Sequence, residues 1–199
     1  FLKSQEVLGE PFRNKLKQLN SFYLPISEMI NKSYLRSKET KVIGLAGGQG
    51  SGKSTISQIL KIILKTKFNL DTLVFSIDDF YKTHNDRKKM SKKVNYLFLT
   101  RGVPGTHKSK ILYKCIKNLK KNSFRKILIP QFDKSTDNLF PKKKWIKVLK
   151  KPNIVIFEGW CVGAKPQKSK DLTQPVNELE KLEDKSLIWR KKVNNELKN

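Results

Sequence analysis

The 199-residue chain has two cysteines, two histidines and no CxxC pair. Cys115 and Cys161 lie far apart, so neither a disulfide framework nor a zinc site organises the fold, and a reducing, cytoplasmic setting is expected. Long apolar runs are missing as well. The apolar stretches are short, such as Ile154 to Phe157, against the ~20 residues a membrane span needs, so no membrane partner is expected. Acidic residues are scarce: 17 Asp and Glu face 43 Lys and Arg, a formal charge of +26. Such an excess of cations suggests nucleic acid, whose phosphates release counterions to clustered Lys and Arg. Arginine, the cation suited to reading bases, is scarce too, with 6 residues against 37 lysines, beside 14 Asn and 16 Ile. Lys, Asn and Ile are spelled by AT-rich codons, so compositional bias explains the charge more simply than a nucleic-acid ligand. What is present, 37% hydrophobic and 10% aromatic residues, exceeds a disordered basic tail and is enough for one sizeable core.

Residues 1–40 read as an N-terminal helical extension, with Leu16, Leu19 and Phe22 along one face and Pro25 opening a second short helix through Ile30. Residues 41–199 read as the main domain. It begins with a β-branched run, Val42 to Ala46, followed at once by six residues of which four are glycine. Ile56, Ile59, Leu60, Ile63 and Leu64 then recur with the spacing of an amphipathic helix. Thr72 to Ile77 reads as a second strand, ending in Asp78-Asp79, and a basic loop with Lys88, Lys89, Lys92 and Lys93 follows. A helix is expected from Ser109 to Lys121, burying Ile111, Leu112, Cys115, Ile116 and Leu119, and a short strand at Ile127 to Ile129. Ile154 to Phe157 is apolar at every position, as suits the centre of a parallel sheet, and a last helix is expected over Val176 to Lys198.

The stretch Gly47-Gly48-Gln49-Gly50-Ser51-Gly52-Lys53-Ser54 satisfies G-x-x-x-x-G-K-[ST], the phosphate-binding loop. The glycines let backbone N–H groups turn inward on phosphates, Lys53 supplies a point charge, and the Ser54 hydroxyl suits Mg²⁺. With Thr55, these residues are the expected ATP-binding set. The chain lacks the NKxD and DxxG elements of GTPases, and its late strand ends Phe157-Glu158-Gly159 rather than in the acid pair usual for motor ATPases. Three strands of an open α/β sheet therefore end in chemically useful groups: the loop, Asp78 and Glu158. Phosphoryl transfer to an alcohol needs a carboxylate that orients the acceptor hydroxyl and takes its proton, a role that suits Asp78; Glu158 suits Mg²⁺ or its water shell.

The runs VIGLAGGQGSGKST, SIDDFY, RGVPGTH, IPQFDKS and IVIFEGW, in this order, resemble the D-glycerate 3-kinase family, related to the uridine kinase, pantothenate kinase and phosphoribulokinase group. The resemblance spans about Phe22 to Gly163. It implies a P-loop NTPase fold, three-layer α/β/α with a mainly parallel sheet, and ATP- and Mg²⁺-dependent phosphorylation of D-glycerate to 3-phosphoglycerate. It places Lys53, Asp78 and Glu158 in catalysis, with Ser54 and Glu158 at the metal. Glycerate is a small anion that needs cationic or polar donors, for which Arg101, His107 and Lys134 are candidates, with Tyr81 and Asp133 in the same motifs. Two positions depart from the family pattern: Lys108 stands where an acid follows RGxPGTH, and Asp137-Asn138 where an Asp-Arg pair is common. The family continues beyond a helix such as Val176 to Asn199, so the chain is expected to be C-terminally incomplete. The competing readings are another small-molecule kinase of the group, a non-catalytic nucleotide-binding fragment, or an ATP-dependent nucleic-acid-binding protein that stacks bases on Trp145, among the lysines of Lys142 to Lys151.

Overall fold

The computed structural model describes residues 14–198, and the helical reading of residues 1–13 lies outside them. In chain order the helices are α1 (Lys15–Gln18), α2 (Leu24–Ser37), α3 (Lys53–Phe68), α4 (His84–Lys93), α5 (Ser109–Lys120), α6 (Glu178–Glu183) and α7 (Ile188–Glu196). The strands are β1 (Lys41–Ala46), β2 (Thr72–Ser76), β3 (Ile127–Ile129), β4 (Phe132–Asp133), β5 (Asn138–Leu139), β6 (Ile146–Val148) and β7 (Ile154–Gly159). Two compact units result. One takes the chain up to Ser76 with Ile116–Ile127 and Val148–Val162; the other takes Ile77–Cys115, Leu128–Lys147 and the chain from Gly163.

The first unit is built on a parallel sheet in the order β1-β7-β2, in register from Lys41↔Ile154 to Ala46↔Gly159 and from Thr72↔Ile154 to Ser76↔Glu158. All six residues of β7 are buried, as its unbroken apolar run predicts for a central strand covered on both faces. Ile154 and Ile156 pack with Ile59, Leu60, Ile63 and Leu64 of α3, and burying each such side chain contributes about 1.5–3 kcal/mol. On alternate positions Phe157 meets Phe75, ring centroids 5.3 Å apart. Helix α3 ends where Asn69 adopts a left-handed φ of 54°. Leu70 N–H then donates to Leu64 O and Asn69 N–H to Lys65 O, both at 3.0 Å, which satisfies the last carbonyls. The class is three-layer α/β/α with a parallel sheet.

Of the stripe expected on the leading helix, Leu19 packs against the core and the other two positions do not. Leu16 and Phe22 are 75% and 64% exposed, whereas Tyr23, Ser27 and Ile30 are buried. The stretch Leu19–Tyr23 is π-helical, and its wider turn shifts the phase so that Tyr23 faces the core. The helix also continues past Ile30 to Ser37, ending at Lys38 with φ 52°.

In the second unit the expected basic loop is helix α4. Thr83 caps it, its hydroxyl accepting from Asp86 N–H at 3.1 Å, and Lys92 and Lys93 complement the dipole at its end. Along α5, whose residues from Ile116 on belong to the first unit, Leu119 and Cys115 are buried while Ile111 is 48% exposed, a narrower buried face than its periodicity predicts. The single helix expected over Val176 to Lys198 is two. Asp184 accepts the N–H groups of Trp189 and Arg190 at 2.9 and 3.0 Å, and Leu187 takes a φ of 61°; a buried carboxylate that caps a new helix ends the old one. Strands β4 and β5 form an antiparallel hairpin, Phe132↔Leu139 and Asp133↔Asn138, and β3 and β6 a second two-stranded ribbon.

Candidate active site

The glycine loop lies between the carboxyl end of β1 and the first turn of α3, which contains Lys53, Ser54 and Thr55. Gly52 takes a φ of 78° immediately before the helix, which calls for glycine, and a Cβ on Gly47 would stand 2.7 Å from the Ser51 hydroxyl and displace it from Gly48 O. Three donors converge on one carbonyl: Gly48 O accepts from Lys53 Nζ at 2.6 Å, Ser51 Oγ at 2.7 Å and Ser51 N–H at 3.3 Å. The loop is thus closed on itself through Gly48, with Gln49 and Gly50 exposed at its tip. A phosphate arriving there is a stronger partner for the ammonium than a neutral carbonyl.

Glu158, buried near the end of β7, accepts a hydrogen bond from Ser54 Oγ at 2.9 Å through Oε1. A hydroxyl and a carboxylate oxygen side by side at a helix N-terminus are the hard donors Mg²⁺ takes, so these residues fit that ion. Among the described residues no three His, Cys, Asp or Glu side chains gather for a metal. Mg²⁺ needs no such cage, since it is held by one or two protein oxygens and completes its shell with phosphates and water.

The candidate acceptor residues belong to the second unit. Asp78 lies two residues beyond β2, in the 3-10 turn Ile77–Phe80. Its Oδ2 accepts from Lys134 Nζ at 2.7 Å. Tyr81 is buried, stacked on His107 at 4.4 Å and edge-on to Phe132 at 5.4 Å. The guanidinium of Arg101 lies 5.7 Å from the Phe132 ring centroid. Asp133 accepts from the N–H and hydroxyl of Ser135 at 3.0 and 2.6 Å, closing the hairpin turn, and these bonds, the hydroxyl's above all, hold its carboxyl below the usual range. The structure thus brings together Ser54 with Glu158, Lys134 with Asp78, and Tyr81 with His107.

Arg101, expected on the substrate, donates through Nη1 to Asp137, a position noted in the sequence as a departure from the family pattern but given no role there. Asp137 also accepts from the buried Arg87 and lies 3.1 Å from His84 Nδ1. Burial pushes its carboxyl up, but hydrogen bonds from Arg87, His84 and Arg101 outweigh this and bring it down to about 2. Arg87 and His84 stand on α4, 50 and 53 positions from Asp137, and no local signal in the chain links them. Trp145, the candidate stacking ring, is half-buried and donates its indole N–H to Phe140 O at 2.8 Å, which anchors the ring to its own loop.

His107 is buried, and its Nε2 has no hydrogen-bond partner among the described residues. Burial holds the imidazole down at about 4, the nearby charge of Asp78 opposing the shift and that of Lys82 adding to it. Its folded-state value lies below the ~6.5 of an unfolded chain. The stability from keeping this ring neutral is therefore complete above pH ~6.5 and is lost as pH falls toward 4, by about 3 kcal/mol at pH 4. Urea unfolding at pH 7 and pH 4 should show this loss in the wild type and not in His107→Gln. Equal acid sensitivity of the two proteins would remove His107 as the titrating group.

A parallel sheet whose first strand feeds a phosphate-binding loop, with a carboxylate from the central strand on the serine that follows the loop, defines a P-loop nucleotide-binding fold. Residues 42–174 match the Phosphoribulokinase / Uridine kinase family, and the chain belongs to it. It is 37% identical over 132 residues to an uncharacterised kinase, mug58, of Schizosaccharomyces pombe, covering 63% of this chain and 47% of that protein. With the chloroplastic D-glycerate 3-kinase of Arabidopsis thaliana it shares 31% identity over 133 residues, 63% of this chain and 29% of the relative. The solved D-glycerate 3-kinase of Cryptococcus neoformans superposes with a TM-score of 0.74 at 25% identity, covering 89% of this chain and 68% of that one. The chain spans about half the length, or less, of the curated relatives it matches.

Proposed function

We propose that the protein transfers the γ-phosphoryl group of ATP to a hydroxyl of a small hydroxy acid, D-glycerate, giving 3-phosphoglycerate. Residues 41–199 are assigned to the kinase domain, with residues 1–40 as an N-terminal extension. The observation that carries the acceptor class is the pairing of Asp78 with Lys134 at 2.7 Å: a base from the turn after β2 and a cation from the β4–β5 hairpin, side by side, suit an acceptor that is both an alcohol and an anion. The resemblance of the surrounding motifs to glycerate kinases, and the likeness to the Arabidopsis and Cryptococcus proteins, support the same choice. Both cysteines are free thiols, in keeping with a cytoplasmic placement.

In this reading Lys53 leaves Gly48 O for the β and γ phosphates, and the loop N–H groups orient them. Mg²⁺ held by Ser54 and Glu158 supplies neutralisation of phosphate charge. Asp78 orients the acceptor hydroxyl. As the acceptor oxygen bonds to the γ-phosphorus, the bond from that phosphorus to the β–γ bridging oxygen breaks, ADP keeps the electron pair, and Asp78 receives the proton. Arg101, His107 and Lys134 meet the acceptor's polar groups. His107, whose burial holds it down at about 4 and so neutral at pH 7, serves as a hydrogen-bonding ring and not as a cation.

Steady-state assays with ATP and Mg²⁺ against D-glycerate, uridine, pantothenate and ribulose 5-phosphate test the reading. D-Glycerate should be preferred by at least about tenfold in kcat/KM, since a mismatched acceptor leaves polar groups of the site unpaired. Turnover of another acceptor with none of glycerate overturns the assignment.

A further inference from the structure

The tip of the β4–β5 hairpin carries two charged residues of opposite sign, and each end of the tip is bonded differently. Asp137 is paired with Arg87, a buried side chain that also donates to Leu99 O at 2.6 Å and Lys82 O at 3.3 Å, and with Arg101. Withdrawing this carboxylate would leave a guanidinium buried without its counter-charge, so this end is fixed. Lys134 is the opposite case. Its side chain is 62% exposed and its partner Asp78 28% exposed, and ion pairs open to water are weak enough to exchange partners. Lysine adds a flexible four-carbon stem, so the ammonium can move between neighbouring oxygens while the backbone stays anchored at Asp137.

We propose that the hairpin tip is a substrate-operated latch, in which Lys134 holds Asp78 in the free protein and leaves it for the carboxylate of an anionic acceptor, while Asp137 keeps the tip in place. The proposal rests on the assignment of Asp78 as the base, made above. While the Lys134 ammonium sits on Oδ2 of Asp78 at 2.7 Å, that oxygen is engaged and less open to an incoming hydroxyl. An anionic acceptor brings its own carboxylate to satisfy Lys134 and so releases the base at the moment its hydroxyl arrives. A neutral alcohol brings nothing to exchange and leaves Asp78 paired. The latch thereby links selection of an acid to activation of the residue that deprotonates it.

The latch makes a binding prediction that does not depend on turnover. By calorimetry with D-glycerate, Asp78→Asn should tighten binding about 3–10-fold, because Lys134 no longer has to be taken from a competing carboxylate. Lys134→Gln should weaken it about 10-fold or more, and the double variant should match Lys134→Gln, the gain from Asp78→Asn having vanished. Glycerol, the neutral analogue, should be bound alike by all four proteins. If Asp78→Asn tightens glycerate binding equally with and without Lys134, simple charge repulsion explains the gain and the latch is wrong. If Lys134→Gln leaves glycerate binding unchanged, the latch is wrong as well. Coupled effects in a protein that does not turn over glycerate would keep the latch and defeat the kinase assignment, whereas turnover with additive effects would do the reverse. No detectable glycerate binding by the wild type would defeat both.

Discussion

Asp78→Asn is expected to cut kcat by about 10²–10⁴-fold, the usual scale for a positioned general base, while ATP affinity changes by less than about threefold. Asparagine keeps the size and one carbonyl oxygen of the side chain but cannot accept the acceptor's proton. The fold should tolerate the change: the ion pair of Asp78 with Lys134 is open to water on the lysine side, and such pairs contribute about 0–1 kcal/mol. Loss of turnover with an unchanged melting temperature and near-normal nucleotide binding therefore reads the chemistry and not unfolding. A variant that turns over at close to the wild-type rate takes Asp78 out of the base role. Because the same substitution is expected to tighten glycerate binding, a fall in kcat accompanied by a lower KM is its particular signature.

Lys53→Met should reduce kcat by about 10²–10³-fold, the magnitude typical of removing one group that stabilises developing charge, and should also weaken ATP binding. This pairing of effects separates it from Asp78→Asn. In the structure the Lys53 ammonium is bound to a backbone carbonyl at 2.6 Å, a neutral partner that phosphate oxygens outcompete. Methionine fills similar volume without the charge, so the loop keeps its bulk, and the bond from Ser51 Oγ to Gly48 O still holds the turn together. Titration with a fluorescent ATP analogue and single-turnover kinetics would measure the two losses independently. Unaltered nucleotide affinity together with unaltered turnover would show that the loop does not hold the transferred phosphate.

Much of the first unit was legible before any coordinates. The stripe Ile56, Ile59, Leu60, Ile63 and Leu64 packs in or against the core, and the all-apolar run at Ile154 became the central strand, because periodicity and burial are coupled over a few residues. The phosphate loop was legible for the same local reason: its glycines are demanded by a backbone conformation. Errors fell where local signals were weak or misweighed. The lysines of α4 suggested a loop, although Thr83 and Asp86 had the spacing of a cap. The break between α6 and α7 depends on Asp184 becoming buried against Arg190, which periodicity does not register. A π-helical turn moved the leading helix's buried face by one residue.

The amino-acid sequence alone determined the nucleotide-binding loop, the parallel core behind it and membership of a kinase group, each encoded in short segments whose residue types admit few backbone solutions. Which cation serves which anion was decided only by the tertiary structure. Among 37 lysines and 6 arginines nothing local marks Lys134 for Asp78, 56 positions away, or Arg101 and Arg87 for Asp137, 36 and 50 positions away. Charges attract without regard to sequence distance, and solvent screens most of them. Folding selects the few pairs that matter by bringing particular side chains into contact and, for Arg87, by removing water around them.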